Sequence, residues 1–160
     1  MIKKRKYSFI SRWQIKAPIE AVWDAIYESE HWPEWWKGVT NVEEIAKGNT
    51  NGVDSIRNYT IVSPALYKLK FSLILTDNVE HRLLRGNAAG ELEGTGTWLF
   101  SERDGITCVE CHWIVTTNVA WMNLFAFLLA PFFRYNHKLV MRKGASCLAT
   151  KLNSELIFVE

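Results

Sequence analysis

Two consecutive stretches decide the fold of this 160-residue chain: Val119-Ala-Trp-Met-Asn-Leu-Phe-Ala-Phe-Leu-Leu-Ala-Pro-Phe-Phe133 and Arg134-Tyr-Asn-His-Lys-Leu-Val-Met-Arg-Lys-Gly144, which runs on to Asn153. The second stretch has the period of an α-helix. One face of that helix carries Phe133, His137, Val140, Met141, Gly144, Cys147 and Leu148, and the opposite face carries Lys138, Arg142 and Ser146. A long helix with one apolar face needs a concave surface to cover.

The residues before this helix have the pattern of strands that could supply such a surface. Alternating residues predict a first strand at Tyr7–Ile15, and from Val39 onward turn residues recur at intervals of about ten to twelve. The predicted strands are Val39–Lys47, Asp54–Val62, Tyr67–Asp77, Leu83–Glu91, Gly94–Ser101 and Ile106–Thr117. Their connections are too short for parallel crossovers, so the sheet is antiparallel. Alternation does not fix which way strands 39–47, 54–62 and 83–91 face.

A helical insertion separates the first two strands. Pro18 suits the first position of a helix, and the following apolar residues share one face: Ile19, Val22, Trp23, Ile26 and Tyr27. The segment His31–Gly38 forms a turn or second short helix, whose three tryptophans we expect to plug the end of a core.

The sequence thus predicts an α+β protein. We expect a curved seven-stranded antiparallel sheet wrapped around a long C-terminal helix, with two short helices between strands 1 and 2. No repeat or linker interrupts the chain, so residues 1–160 are expected to form one domain with a core at about 7–153.

Composition excludes some partners and locations. The net charge of +2 gives no electrostatic case for nucleic acid. The basic cluster Lys3–Lys6 favours a solvated arm, with contact to anionic lipid as the alternative. Tyr7–Ile15 contains polar residues where a secretory signal needs an apolar run, and three cysteines do not make a disulfide framework. We therefore expect a cytoplasmic protein.

Several motifs, in this order and spacing, resemble a known family. They are Ala17-Pro18-Ile-Glu-Ala-Val22-Trp23, Trp32-Pro-Glu-Trp35-Trp36, Gly90-Glu-Leu92-Glu-Gly94-Thr-Gly96-Thr-Trp98, Asn136-His137 and Met141-Arg-Lys-Gly144. The chain resembles the START-like, helix-grip superfamily (SRPBCC), in its polyketide cyclase/dehydrase-like branch. The resemblance implies a deep apolar cavity between sheet and helix for lipids, sterols, polyketides or similar molecules. It brings no family-wide catalytic set, because some members catalyse cyclisation or dehydration and many only bind or carry.

The run Cys108-Val-Glu-Cys111-His112 matches the motif for covalent haem attachment. It lies in a predicted strand, where residues three apart point to opposite faces, so the two sulfurs should diverge. The same divergence disfavours a zinc site. The four histidines share no metal-binding spacing, and we expect neither a metal nor a cofactor.

The stretch from Cys111 to Phe133 contains no charged residue and is long enough to cross a bilayer. Polar residues interrupt it and Pro131 is expected to break it, so a spanning helix is disfavoured. Transient contact of residues 121–133 with a membrane surface is the favoured alternative.

The expected ligand contacts are mostly apolar residues of the strands and the long helix: Tyr67, Leu69, Phe71, Leu73, Trp98, Val109, Trp113, Phe132, Phe133, Asn136, His137, Val140 and Met141. Three classes of function remain open. A carrier or sensor needs only the cavity and a gate. A cyclase or dehydratase also needs acid/base groups, for which His137, Arg57 and Arg85 are the candidates. An interaction module would use residues 121–133 as a contact patch.

Overall fold

The computed structural model describes residues 4–64 and 67–160, so Lys3 of the basic cluster lies outside the described residues. The strands are β1 (Lys6–Ile15), β2 (Val39–Ala46), β3 (Ile56–Val62), β4 (Lys68–Val79), β5 (Leu83–Gly90), β6 (Leu92–Arg103), β7 (Ile106–Thr117) and β8 (Leu156–Val159). The helices are α1 (Ile19–Tyr27), α2 (Trp32–Trp35), α3 (Ala120–Leu124) and α4 (Ala126–Lys151), with a 3-10 turn at Ser29–His31 before α2.

The strands pair into one antiparallel sheet in the order β2-β3-β4-β5-β6-β7-β1-β8. The helix-grip prediction is confirmed, but the described sheet has eight strands rather than seven. The additional strand is β8, whose Val159 and Leu156 pair with Trp13 and Ile15 at the free edge of β1. Its four apolar residues follow the end of α4, and they cover the unpaired backbone groups that β1 would otherwise expose.

The insertion between β1 and β2 closes one end of the concave side. Val22, Trp23 and Ile26 of α1 are buried, as their shared face predicts. The indole N–H of Trp32 donates to the carbonyl of Ala25 at 3.1 Å. The buried indoles of Trp32 and Trp36 then pack against one another, with ring centres 5.0 Å apart.

The predicted C-terminal helix is divided in two. The chain leaves helical geometry at Phe125, which separates α3 from α4. The expected break at Pro131 was wrong, because α4 continues through this residue, which lies in its second turn. Within residues 4–64 and 67–160, none of the helices combines the length and apolarity that a bilayer span requires.

The gripping face of α4 agrees with the predicted periodicity. Phe133, Met141, Gly144 and Leu148 are buried, whereas Lys138, Arg142 and Ser146 are exposed. Gly144 allows the closest approach, since a Cβ built on it would lie 2.4 Å from two ring carbons of Trp36. The Trp36 indole N–H also donates to the carbonyl of Val140 at 3.2 Å, which fixes α4 against the aromatic plug.

Because Gly144 contacts Trp36, we expect a glycine-to-alanine change here to lower the free energy of unfolding, where such a change in a helix normally raises it. At an exposed helix position this change stabilises by about 1 kcal/mol. Gly144→Ala should instead destabilise by about 1–3 kcal/mol, because Trp36 is packed among Trp13, Trp32 and Trp98 and has no room to move. Urea denaturation measures the difference, with Ser146→Ala on the exposed face of α4 as the matched control. A more stable Gly144→Ala protein would contradict this packing.

Candidate functional site

A cavity of about 230 Å³ lies between the concave face of the sheet and α4. Alternate residues of each strand point inward, so β4 contributes Leu69, Phe71 and Leu73 to its wall. The indole of Trp113 on β7 lies over Gly96 on β6, where a Cβ would come within 2.6 Å of the ring. At this point the wall is therefore shaped by a glycine beneath a large aromatic ring.

Most of the predicted ligand contacts border this cavity. They are Tyr67, Leu69, Phe71, Leu73, Trp98, Trp113, Phe133, Asn136, His137, Val140 and Met141. Their role in binding a ligand stays a prediction.

Two of the predicted contacts lie elsewhere. Val109 is only 2% exposed and pairs with Trp13 and Phe100. Phe100 packs edge-on against Trp23, so α1 fills the concave side near Val109. Phe132 is 41% exposed, since it lies on the solvent side of α4.

One end of the cavity, which we call the α4 end, holds a cluster of uncharged side chains joined by hydrogen bonds. Asn136 of α4 is buried, and its side-chain oxygen accepts a hydrogen bond from the Ser63 hydroxyl at 2.8 Å. Its side-chain nitrogen donates to the Tyr67 hydroxyl oxygen at 2.9 Å. Burial raises the pKa of the Tyr67 hydroxyl, which therefore stays protonated at neutral pH. Asn136 thus ties α4 to the segment between β3 and β4.

His137 borders the same end of the cavity but is held differently. Its ring stacks on Phe9, with centres 4.2 Å apart and planes 11° apart. No hydrogen-bond partner for the imidazole is found among the described residues. Burial lowers the pKa of His137 to about 4, so the ring is neutral at pH 7. A neutral imidazole offers one donor and one acceptor.

Tyr7 adds a second unpaired polar group near His137. Its ring stacks on Phe9 and meets Phe133 edge-on, with centres 6.0 and 5.8 Å away. The Tyr7 hydroxyl is buried without a hydrogen-bond partner among the described residues, and burial raises its pKa. Buried polar groups are normally paired, so an unpaired hydroxyl at the cavity wall is notable.

A second polar group lies toward the other end of β3. Arg57 borders the cavity and donates from Nη1 to the Tyr27 carbonyl at 3.0 Å and the Ser29 hydroxyl at 3.2 Å. Its Nη2 lies 3.6 Å from Glu30 and 3.5 Å from Glu44. The charge of Arg57 is therefore compensated by carboxylates. Arg57 lies near the start of β3 and Ser63 directly follows its end, and six residues of extended chain correspond to about 20 Å.

Tyr59 belongs to the same polar group as Arg57. Its hydroxyl lies 2.7 Å from the Ser29 hydroxyl, and burial raises the pKa of Tyr59. Tyr59 was not among the predicted contacts, because alternation alone left the facing of its strand open.

Arg85 differs from the other two catalytic candidates. It is adjacent to the cavity, but its neighbour Leu84 points inward, so the Arg85 side chain lies on the convex face. There the guanidinium contacts the Thr97 hydroxyl at 3.4 Å and lies 3.9 Å from Asp77. The structure therefore does not bring Arg85 together with His137.

Sequence reasoning missed the part of the wall that the first strand and the insertion supply. Tyr7, Phe9, Trp32 and Trp36 border the cavity. The alternation of Tyr7 and Phe9 was a usable signal, but which face meets α4 depends on the pairing of β1 with β7. Trp32 and Trp36 are buried at the end of the core, and both also border the cavity.

The haem-like motif is divided between the two faces of β7. Cys111 is buried on the cavity side and burial raises its pKa to about 12. Cys108 is partly exposed, and the His112 ring is bonded to the carboxylate of Glu110. Throughout the described part of the chain, no three His, Cys, Asp or Glu side chains come together as a metal site.

The sequence profile of the family described as "Polyketide cyclase / dehydrase and lipid transport" matches residues 8–153. No curated protein matched the chain by sequence.

Solved structures of similar fold share little sequence with the chain. The di-domain ARO/CYC BexL is 18% identical, with a TM-score of 0.72 over 94% of this chain and 51% of its own. This chain thus spans about half the length of that protein. TTHA0849 from Thermus thermophilus is 17% identical, with a TM-score of 0.71 over 91% of this chain and 99% of its own. The Zhui aromatase/cyclase from a Streptomyces species is 12% identical, with a TM-score of 0.71 over 93% and 94% of the two chains.

The environment of His137 predicts how His137→Leu behaves. At pH 7 the variant should keep or slightly exceed wild-type stability, because the imidazole has no hydrogen bond to the described residues that the change would remove. The folded-state pKa of His137 is about 4 and the unfolded value about 6.5. Unfolded chains therefore bind more protons between these values, and the wild type should lose about 1–3 kcal/mol as the pH falls through this range. His137→Leu should not show the part of the acid-induced loss of stability that comes from His137.

Denaturation curves at pH 7 and pH 4 measure this difference. His31→Leu is the matched control, since His31 is exposed and bonded to Glu34, which raises its pKa. That control should keep the full acid-induced loss. A marked loss of stability in His137→Leu at pH 7 would show that the imidazole has a structural partner.

Proposed function

Because the chain belongs to the polyketide cyclase / dehydrase and lipid transport family, we propose that it binds a hydrophobic small molecule in the cavity between the sheet and α4, as a carrier or sensor. The ligand is a lipid, a sterol, a polyketide or a molecule of similar character. The observation that carries this proposal is the apolar cavity itself, bounded by aromatic and aliphatic side chains from β1, β4, β6, β7 and α4.

The size and lining of the cavity support a ligand over an unfilled core. Folded proteins pack their interiors closely, and apolar voids reduce stability in proportion to their volume. A void of about 230 Å³ is much larger than the small gaps of an ordinary core. An apolar ligand would restore the lost contacts along its length.

The polar groups on the wall support a ligand with one uncharged polar end. Among the described residues, His137 and Tyr7 have no hydrogen-bond partner at the α4 end, while the nearby Asn136 bonds to Ser63 and Tyr67. The charge of Arg57 is compensated by Glu30 and Glu44. A hydroxyl or carbonyl oxygen would pair with the imidazole or the phenol without requiring a buried counter-ion.

An enzyme of the cyclase or dehydratase type is the second candidate. His137 is the observation in its favour, since an unpaired neutral imidazole beside an apolar cavity can exchange a proton with a bound ligand. Its lowered pKa makes it a weak base, which favours binding over proton abstraction at neutral pH. Arg57 is the other candidate on the wall, and its carboxylate partners favour a structural role.

We also propose a cytoplasmic location. The chain has three cysteines, an odd number, and this does not fit the disulfide framework that is typical of small proteins in oxidising compartments.

Ligand binding is tested by titrating the protein with a fluorescent fatty acid. We expect saturable binding near one molecule per chain, competed by an unlabelled sterol or polyphenol. Leu73→Trp should weaken binding at least tenfold, because the larger side chain fills the cavity beside Gly86. The matched control is Ile74→Trp, whose side chain is exposed on the opposite face of β4. Binding that does not saturate, or that falls equally in both variants, would refute the cavity as the site.

Catalysis is tested separately with a linear poly-β-ketone thioester analogue, followed by chromatography. A carrier returns the analogue unchanged. Turnover that disappears in His137→Leu while affinity for the analogue is kept would replace the carrier with the enzyme.

A further inference from the structure

The beginning of α4 and the preceding α3 carry an unusually apolar solvent-facing surface. We name its members the apolar tip: Trp121, Leu124, Phe125, Phe127, Leu128 and Phe132, which are between 41% and 90% exposed. Phe127 and Leu128 are the most exposed, at 90% and 74%. Single exposed apolar residues need no explanation, but a contiguous group of this kind marks an interaction site.

The chain segment that carries the apolar tip has charges of one sign. No Asp or Glu occurs between residues 112 and 154, whereas five Lys or Arg lie in that range. On α4, Arg134 and Lys138 are exposed. The helical rise places them about 10 and about 16 Å beyond Phe127. Before β1, Lys4 pairs with Glu93 at 3.3 Å, which partly neutralises this acidic residue of β6.

The solvent side of α4 therefore changes character along its length. Phe127, Leu128 and Phe132 occupy the first two turns, and Lys138 and Arg142 follow on the same side. A helix with an apolar end and a cationic continuation matches the layers of an anionic bilayer. Apolar side chains enter the boundary between headgroups and acyl chains by about 5–10 Å, and the cations then reach the phosphate level.

We propose that the apolar tip is a docking surface for an anionic lipid bilayer, with Arg134 and Lys138 contacting the headgroups. A second copy of this chain fits the surface less well. A symmetric dimer through the tip would bring the cations of two α4 helices together, with no acidic residue on either helix to compensate them. Anionic headgroups supply that compensation directly.

The apolar tip is continuous with the cavity wall. Trp121 packs on Phe133 with ring centres 6.4 Å apart, and Phe132 packs on Tyr67 at 6.5 Å. Phe133 and Tyr67 both border the cavity, as does Met122 of α3. Docking through the tip would thus bring a bilayer against the helix segment that closes the α4 end of the cavity. The docking itself does not depend on whether the cavity holds a ligand.

The experiment measures co-sedimentation of the full chain with two kinds of vesicle. One contains phosphatidylcholine alone, and the other also contains about 30% phosphatidylserine. The salt concentration is about 0.1 M, at which charges still interact over about 10 Å. We expect binding to the phosphatidylserine vesicles at least tenfold tighter than to phosphatidylcholine, and weakening as salt is raised. Phe127→Ser combined with Leu128→Ser should reduce binding at least tenfold. Arg134→Glu combined with Lys138→Glu should remove the preference for phosphatidylserine.

Matched controls make the same changes elsewhere on the surface. Ile157→Ser with Phe158→Ser removes two exposed apolar residues of β8, and Lys47→Glu with Arg103→Glu reverses two exposed cations remote from α4. Both controls should bind like the wild type, with circular dichroism confirming that every variant is folded. Equal losses in test and control variants, or no preference for phosphatidylserine, would overturn the proposal.

Sedimentation velocity without lipid tests whether the apolar tip is instead an interface between two copies of the chain. We expect a species whose size does not change in Phe127→Ser with Leu128→Ser. A dimer that this variant dissociates would assign the tip to a second copy of the chain and overturn the lipid proposal. Fluorescent-ligand binding is measured without vesicles, so the failure of docking and the failure of cavity binding are distinguishable.

Discussion

The position of α4 depends on its contact with Trp36. Gly144 lets the helix backbone rest on the indole, and the Trp36 N–H bonds to the carbonyl of Val140. Trp36 is itself held among Trp13, Trp32 and Trp98. The helix is thus fixed against a rigid aromatic group, and the curved sheet continues beyond the part of its concave face that α4 covers. The cavity follows from this arrangement, because one helix covers only part of the concave face.

The two ends of the cavity are stabilised by different kinds of interaction. At one end Arg57 joins the insertion to β2 and β3 through hydrogen bonds to Tyr27 and Ser29 and through two carboxylates. At the α4 end the bonds are neutral, and Asn136 carries them. Neutral hydrogen bonds cost less to rearrange than paired buried charges. The α4 end is therefore held by interactions that cost less to rearrange, and it lies beside the segment that also presents the apolar tip.

Much of the fold followed from periodicity and turn chemistry. The period-two alternation of β4 assigned Leu69, Phe71 and Leu73 to one face, and the helical period of α4 assigned Phe133, Met141 and Gly144 to the buried face. Alternation in β7 also assigned Cys108 and Cys111 to opposite faces, which argued against covalent haem attachment. Such local patterns succeed where one face of an element is buried and the other is not, because the sequence then records the difference directly.

The sequence by itself determined the class of the fold, the gripping face of the helix and the apolar character of the site. Only the tertiary structure decided the strand count, the continuation of α4 through Pro131, and which polar groups are paired. It placed Arg57 on the cavity wall and the Arg85 side chain on the convex face, and it left Val109 and Phe132 outside the wall. These outcomes depend on neighbours distant in the chain: α1 over Val109, the edge of β1 for β8, and Phe9 for His137. Local periodicity states which side of an element is buried, but the partner that buries it is set by packing between distant segments.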